Sequence, residues 1–451
     1  MQFNTKKVVL MATAFFISSP VFAVDLVGVH DLAIKSDPAL QAAAYRKEAT
    51  GENTRQAWSN LLPSLGGSAG TTRGNTETSV SYPGVDDDKR DVDTERWGLD
   101  LRQSLYAQSN YEQLDIARGQ VSQADAIYNI AYQDFLVRIA GSYFAVLTAQ
   151  DGVIFAEAEE KALQRQFEQA EQRFEVGLTA VTDVHEARAS YDNARARAIV
   201  SRNNLADTKE GLYELTGQYF DDIDPLQDEL PLVKPLPENP DEWLDIAMQY
   251  NPAIVAAHQE IEIADANTRL QRSARIPTLD LTASYGNFTN NELVIRDDFG
   301  NFIGTTSMTN KDTRIGLQLS WNMYQGGYVY SRTRQARSLL NAVNEDLDQR
   351  QRAVVRATNN AYRAVIAGIE QVKAFNQAMI SAESALEATQ AGFEVGTRTI
   401  VDVLIAQQRY FQAQRDNSLA RHTYVVDHLR LKAAAGTLVE EDLRKVNAIL
   451  Q

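Results

Sequence analysis

The sequence predicts a mainly α fold with a small β part, built from one helix, hairpin, long-helix, helix unit used twice. Three observations carry this. The chain repeats itself in order: Asp31 to Pro38 (Asp-Leu-Ala-Ile-Lys-Ser-Asp-Pro) returns as Asp245 to Pro252 (Asp-Ile-Ala-Met-Gln-Tyr-Asn-Pro), and Pro63 and Pro277 are likewise 214 apart. Arg96 to Leu101 returns as Arg314 to Leu319 at an offset of 218, and Phe174 to Val184 as Phe393 to Val403 at 219. An ordered series whose offset drifts by a few residues is a tandem duplication with most length differences in one loop. Next, Ala107 to Val176 and Gly327 to Val395 contain no proline. At about seventy residues and 1.5 Å per residue, each can form a helix on the order of 100 Å long. Finally, short segments alternate apolar and polar side chains with the period of a strand.

The elements follow in order. Met1 to Ala23 has a basic stub (Lys6, Lys7), an apolar run from Val8 to Ile17, and Pro20 before small residues. That is the layout of a secretory signal peptide, too short for a spanning helix. The first unit covers 24–220. Leu26 to Asn60 reads as helix, ending before a proline that cannot continue it. A hairpin at about 62–106 sets Trp97, Leu99, Leu101 and Leu105 on one parity against Arg96, Asp100, Arg102 and Ser104. The long helix carries Leu114, Val121, Tyr128 and Phe135 at heptad spacing, with Ala117, Ala124 and Ala131 between them. Alanine at alternate seam positions lets coiled helices approach closely. The helix turns at Val176-Gly177, where glycine can take the left-handed cap, and a shorter helix returns from about Thr182 to Thr216. The proline-rich, acidic stretch 221–240 is a connector packed outside the helices. The second unit, 241–451, repeats the order, with a helix from Trp243 to Arg275 and a hairpin at about 277–323. There Leu279, Leu281, Ala283 and Tyr285 share a parity, as do Ile315, Leu317, Leu319, Trp321 and Met323. Heptads at Leu340, Leu347, Val354 and Ala361, a turn at Val395-Gly396 and a helix from about Ile400 to Ala435 complete it.

Strands of roughly ten residues with charges on the inward parity have the pattern of a transmembrane barrel, although on pattern alone an ordinary half-buried soluble hairpin fits at least as well; the long proline-free helix after each hairpin favours the barrel. Beyond Ala23 no uninterrupted apolar stretch of spanning length is evident, so any membrane insertion must be by strands. Four strands cannot close a barrel, and open edges in lipid leave backbone groups unpaired at several kcal/mol each. Other copies must therefore supply the edges, in a ring. Two copies give about eight strands and three about twelve; arithmetic does not choose. With 44 Lys and Arg against 60 Asp and Glu, net −16, the chain is a poor coat for nucleic acid. Its lack of cysteine excludes disulfides, thiolate metal sites, a Cys nucleophile and an acyl anchor on an N-terminal Cys.

The stretch Phe393-Glu-Val-Gly-Thr-Arg-Thr-Ile-Val-Asp-Val403, its twin at Phe174, and Ala433-Ala-Ala-Gly-Thr-Leu438 carry a resemblance over essentially all of the mature chain. The chain resembles the TolC-like outer-membrane efflux proteins. The resemblance implies a homotrimer in which a twelve-strand barrel in outer-membrane lipid continues as a twelve-helix tunnel through the periplasm. It also implies two partners. One is a periplasmic adaptor (membrane fusion) protein docking near Val176, Gly177, Leu178, Val395, Gly396 and Thr397; the other is an inner-membrane pump of RND, ABC or MFS type. Lipidated relatives begin with Cys, so this chain should be held by the barrel alone.

The same resemblance assigns a periplasmic gate. It matches Arg398 to a family Arg that tethers the inner helix pair, and Thr182 and Asp183 to its partners; such a link resists opening by on the order of a few kcal/mol. Asp402 matches a carboxylate facing the pore axis, so a trimer would gather three like charges, attracting cations and favouring protonation or cation binding. Two positions depart from the pattern: Phe393 stands where a hydrogen-bonding Tyr is common, and Ile405 where a second gate Asp is common. A gate with one carboxylate ring, fewer tethers and no strong divalent-cation block is expected.

Signals for enzymatic chemistry fail on context, and neither cofactor nor resident metal is expected. Gly66-Gly-Ser68-Ala-Gly70 fits a nucleophile elbow but lies in a strand with no helix immediately after it. His185-Glu186 opens like a zinc-protease motif, yet Ala189 takes the place of the second His. His30, His185, His258, His422 and His428 are scattered without ligand spacing, and the acidic loop Glu77 to Asp93 reads as solvated rather than calcium-binding. The competing class is a secreted or surface-attached coiled-coil adhesin or structural protein with hairpins at its tip.

Overall fold

A computed structural model describes residues 24–78, 88–296 and 302–450. Met1 to Ala23, read as a signal peptide, and most of the acidic loop, Asp86 and Asp87 included, lie outside the described residues. The first half runs α1 (Leu26–Ser36), α2 (Pro38–Ser59), β1 (Ser64–Thr78), β2 (Asp88–Tyr106), α3 (Gln108–Glu175) and α4 (Val181–Thr216). The second runs α5 (Pro240–Tyr250), α6 (Pro252–Ser273), β3 (Thr278–Arg296), β4 (Phe302–Ser320), α7 (Tyr328–Glu394) and α8 (Ile400–Ala435), followed by α9 (Glu440–Asn447). Corresponding helices nearly match in length: 11 and 11, 22 and 22, 68 and 67, 36 and 36 residues.

The helix expected over Leu26 to Asn60 is two helices. Asp37, held extended before Pro38, takes its side chain to the Ala39 and Leu40 amides and so caps α2. A proline disfavours the helical conformation in the residue before it, and an Asp there is a preferred cap. Asn251 before Pro252 does the same between α5 and α6, accepting from the Ala253 amide.

The strands form one antiparallel sheet in the order β1-β2-β3-β4, so β2 and β3 join the two hairpins within the chain. Leu65, Leu101, Ala283 and Ile315 align across one face; Gly66, Asp100, Ser284 and Arg314 align across the other. The polar face carries an ion pair of 3.0 Å between Arg102 and Asp280, and the apolar face a Trp97–Tyr285 ring contact with centroids 5.6 Å apart. The parity expected of Leu105 does not hold, because a bulge between Ser104 and Tyr106 shifts the register and sets Tyr106 opposite Leu279. At 15 and 19 residues the strands exceed the predicted ten, β1 and β2 extending past the apolar rows into polar ends. β4 ends at Ser320, leaving Trp321 and Met323 outside it.

One stretch of α3 is apolar and long enough to cross a membrane by composition, with mean hydropathy 1.3, where the sequence reading found none. It is used as core. Phe135, Leu136, Ile139, Ala140, Tyr143 and Phe144 of α3 pack with Leu26 and Val29 of α1, Leu212 of α4, Trp243 of α5, Leu429 of α8 and Leu443 of α9. This core girdles the middle of the long helices. The connector is pegged to it: Tyr143 donates to the Asp224 carbonyl at 2.8 Å, Trp243 to the Pro237 carbonyl at 2.7 Å, and Tyr424 accepts from the Val233 amide at 2.9 Å.

Candidate functional site

Far from that girdle, α3 turns into α4 and α7 into α8 by the same device. Gly177 and Gly396 sit at φ 78° and 75°, a left-handed conformation that glycine takes without steric cost. Leu178 donates to the Arg173 carbonyl and Thr397 to the Gly392 carbonyl, each at 2.8 Å, while Gly177 and Gly396 donate to Phe174 and Phe393. This pairing satisfies the last carbonyls of each helix. The apolar side chains beside it have nowhere to pack: Val176, Leu178 and Val395 are 69%, 69% and 76% exposed.

Behind the turns, Leu163 and Ala170 of α3, Ala187 and Ala194 of α4, and Ile400 and Leu404 of α8 form a small buried cluster, with Phe393 against it. The ring of Phe393 lies 4.8 Å from the Arg173 guanidinium, so the position keeps a polar contact although it lacks a hydroxyl. Thr399 caps α8: its amide and hydroxyl donate to Asp402 Oδ2 at 3.0 and 2.9 Å, and the Asp402 amide donates back to Thr399 Oγ1 at 3.2 Å. The Thr399 amide, then its hydroxyl, hold the Asp402 carboxyl below the usual carboxylate range, and Arg398 adds to the effect. In a single chain the local field therefore favours the ionised form, opposite to the protonation expected of a crowded ring. Ile405, one turn on, is 43% exposed.

Arg398 is exposed, its stem lying over Gly392. Among the described residues it forms no salt bridge with Asp183, which instead accepts from the Thr179 hydroxyl; Thr182 is exposed. Arg398 and Thr182-Asp183 are thus presented on neighbouring hairpin ends without being joined within one chain.

Sequence reasoning missed a polar seam higher up, between α3 and α8. Fully buried Glu159 accepts from Arg197 of α4 at 2.7 Å and from Arg415 of α8 at 3.1 Å, one guanidinium on each oxygen. Above it Ser418 donates to Asp151, and His422 Nδ1 lies 2.8 Å from Thr148 Oγ1. Since Thr148 donates its own proton to the Phe144 carbonyl, the His422 ring is the donor to it. Burial, aided by Arg421, pushes the His422 pKa down to about 4. Charges in coiled helices usually face solvent, so no local spacing announced these pairs.

The decoys resolve by position. Ser68 lies in β1 opposite Gly98, and His185-Glu186 is exposed in the first turns of α4. His30 comes together with the adjacent Asp31 and with Glu440 from far along the chain, their ligand atoms within 4.8 Å. A cation already serves that cluster, because Arg444 binds Glu440 at 2.6 Å.

The family model for outer membrane efflux protein matches residues 29–218 and 243–437. The chain belongs to the outer membrane efflux protein family. Outer membrane protein TolC of Vibrio cholerae serotype O1 is 37% identical over 96% of both chains. The alkaline protease secretion protein AprF of Pseudomonas aeruginosa is 28% identical over 95% of this chain and 87% of its own. The outer membrane protein VceC from Vibrio cholerae superposes with a TM-score of 0.73 at 19% identity, covering 91% of this chain and 96% of that one, and so shares the fold. As a member of the outer membrane efflux protein family the protein is an outer-membrane exit duct and not an enzyme, which replaces the adhesin reading.

Proposed function

We propose that three copies close a twelve-strand barrel in outer-membrane lipid and a twelve-helix tunnel in the periplasm, the exit duct of a tripartite efflux or type I secretion system. The observation that carries this reading is the sheet: one apolar face, one polar face, and β1 and β4 as its outer strands among the described residues. In lipid those edges are tolerable only when another copy pairs with them, and β4 against a neighbour's β1 continues the antiparallel order. Residues 24–220 and 241–451 act as two repeats, 221–240 as the connector belting their middle, and Met1 to Ala23 as the export signal.

The gate of this reading lies at the hairpin ends. Arg398 reaches Thr182 and Asp183 of the neighbouring copy, since each lacks the other within its own chain. Asp402 forms the carboxylate ring, Phe393 anchors to Arg173, and Ile405 leaves the ring single. The exposed Val176, Leu178 and Val395, with Gly177, Gly396 and Thr397, offer the adaptor an apolar foothold; the adaptor links the duct to an inner-membrane pump of RND, ABC or MFS type that sets direction. The AprF likeness favours polypeptide cargo alongside small molecules. Single-channel conductance in a planar bilayer tests the gate: Arg398→Ser should raise it severalfold, and an unchanged value removes Arg398 from the gate.

A further inference from the structure

We infer that the carboxylate of Glu159, held between Arg197 and Arg415, is the fulcrum on which the α7–α8 pair swings away from α3–α4, with Arg415 positioning the gate from a distance. The inference rests on the gated-duct reading above.

The geometry separates the two guanidiniums by role. Arg197 is on α4, the partner of α3 within the same helix hairpin, so its 2.7 Å bond holds that hairpin together. Arg415 is on α8, in the other hairpin, so its 3.1 Å bond is the ion pair that joins α3 to the moving pair. Glu159 is fully buried, whereas Arg197 and Arg415 are 40% and 24% exposed at the side chain, so the uncompensated positive charge is shed to water. A buried carboxylate with a guanidinium on each oxygen is a fixed point: either arginine alone still neutralises it, and only the loss of both would leave a desolvated charge.

The seam differs on the two sides of that point. Above it, towards the core girdle, α3 and α8 are pinned by Asp151 with Ser418 and by Thr148 with His422, in an antiparallel register. Below it, the contact is the cluster of alanines with Leu163, Ile400 and Leu404. Small apolar side chains lock no single arrangement as directional polar pairs do. Glu159 is 16 residues above the end of α3 at Glu175, which is about 24 Å of helix. A small rotation at the clamp is therefore a large displacement at Asp402 and Arg398.

The two arginines give the test its control. Arg415→Met keeps Glu159 paired with Arg197 and so removes only the link between hairpins; Arg197→Met removes only the link within one. Purified full-length trimers are compared in planar bilayers, with heat dissociation of the trimer measured alongside and Arg398→Ser as reference. The expected result is a severalfold rise in conductance for Arg415→Met, wild-type conductance for Arg197→Met, a value between for Arg415→Lys, and little change in heat dissociation. Arg415→Met at wild-type conductance while Arg398→Ser is raised overturns the fulcrum and leaves the duct standing; so does an equal rise from Arg197→Met. Absence of pores from every protein, wild type included, overturns the duct and the fulcrum together.

Discussion

His422 shows how a single side chain ties this protein to pH. It is buried beside Phe144, its ring donates to Thr148, and its pKa is pushed down to about 4 by burial and Arg421. An unfolded chain binds a proton at the ordinary value of about 6.5, whereas the folded chain refuses it until about 4. Stability is therefore full above pH 6.5 and falls as pH drops towards 4, by at most roughly 3 kcal/mol per chain. Denaturant midpoints at pH 7 and pH 5 should show this fall, and His422→Gln should flatten the part of it that His422 contributes. Gly436 illustrates the opposite limit, a residue with no chemistry of its own. It sits at φ 77°, and a Cβ there would lie 2.5 Å from the Asn251 backbone, so the Ala433 to Leu438 signature records a place where two chain segments touch.

At the scale of elements, the breaks matter as much as the helices. Asp37 is 2% exposed, caps α2, and is bound by Arg138 of α3 at 2.8 Å, so a helix junction is bolted to the long helix. Asp37→Ala should cost roughly 3 kcal/mol, from a lost cap together with a broken buried pair, read as a lower thermal dissociation temperature. The long helices, the hairpins, the Val-Gly turns and the second short helix of each half were legible in the sequence, because each depends on a local signal: absence of proline, period two, or a glycine cap. The division at Asp37-Pro38 was legible too, had Pro38 been given the weight of Pro63. The bulge at Ser104, the helix α9 and the Glu159 clamp were not, because each is decided by partners far along the chain. At the hairpin ends, the residues were readable and their pairing was not: Arg398 and Asp183 are presented but left unjoined inside one chain.

The whole molecule is governed by its sheet. Leu317 belongs to the apolar face, paired with Leu281, while its neighbour Gln318 is paired with Asp280 on the polar face. Leu317→Arg should lower the yield of membrane-inserted trimer, since an arginine on the lipid face of a barrel is destabilising, by up to about 2–4 kcal/mol at the midplane. Gln318→Arg, one residue on, should insert normally; equal behaviour of the two in detergent extraction of outer membranes would refute the assignment of faces. The pairing of β2 with β3 has a further consequence for manufacture. Each subunit arrives as a panel whose inner seams are already sewn, so a synthetic peptide copying β1 would cap the border at β4 and act as a chain terminator, poisoning ring closure before any passage existed to block.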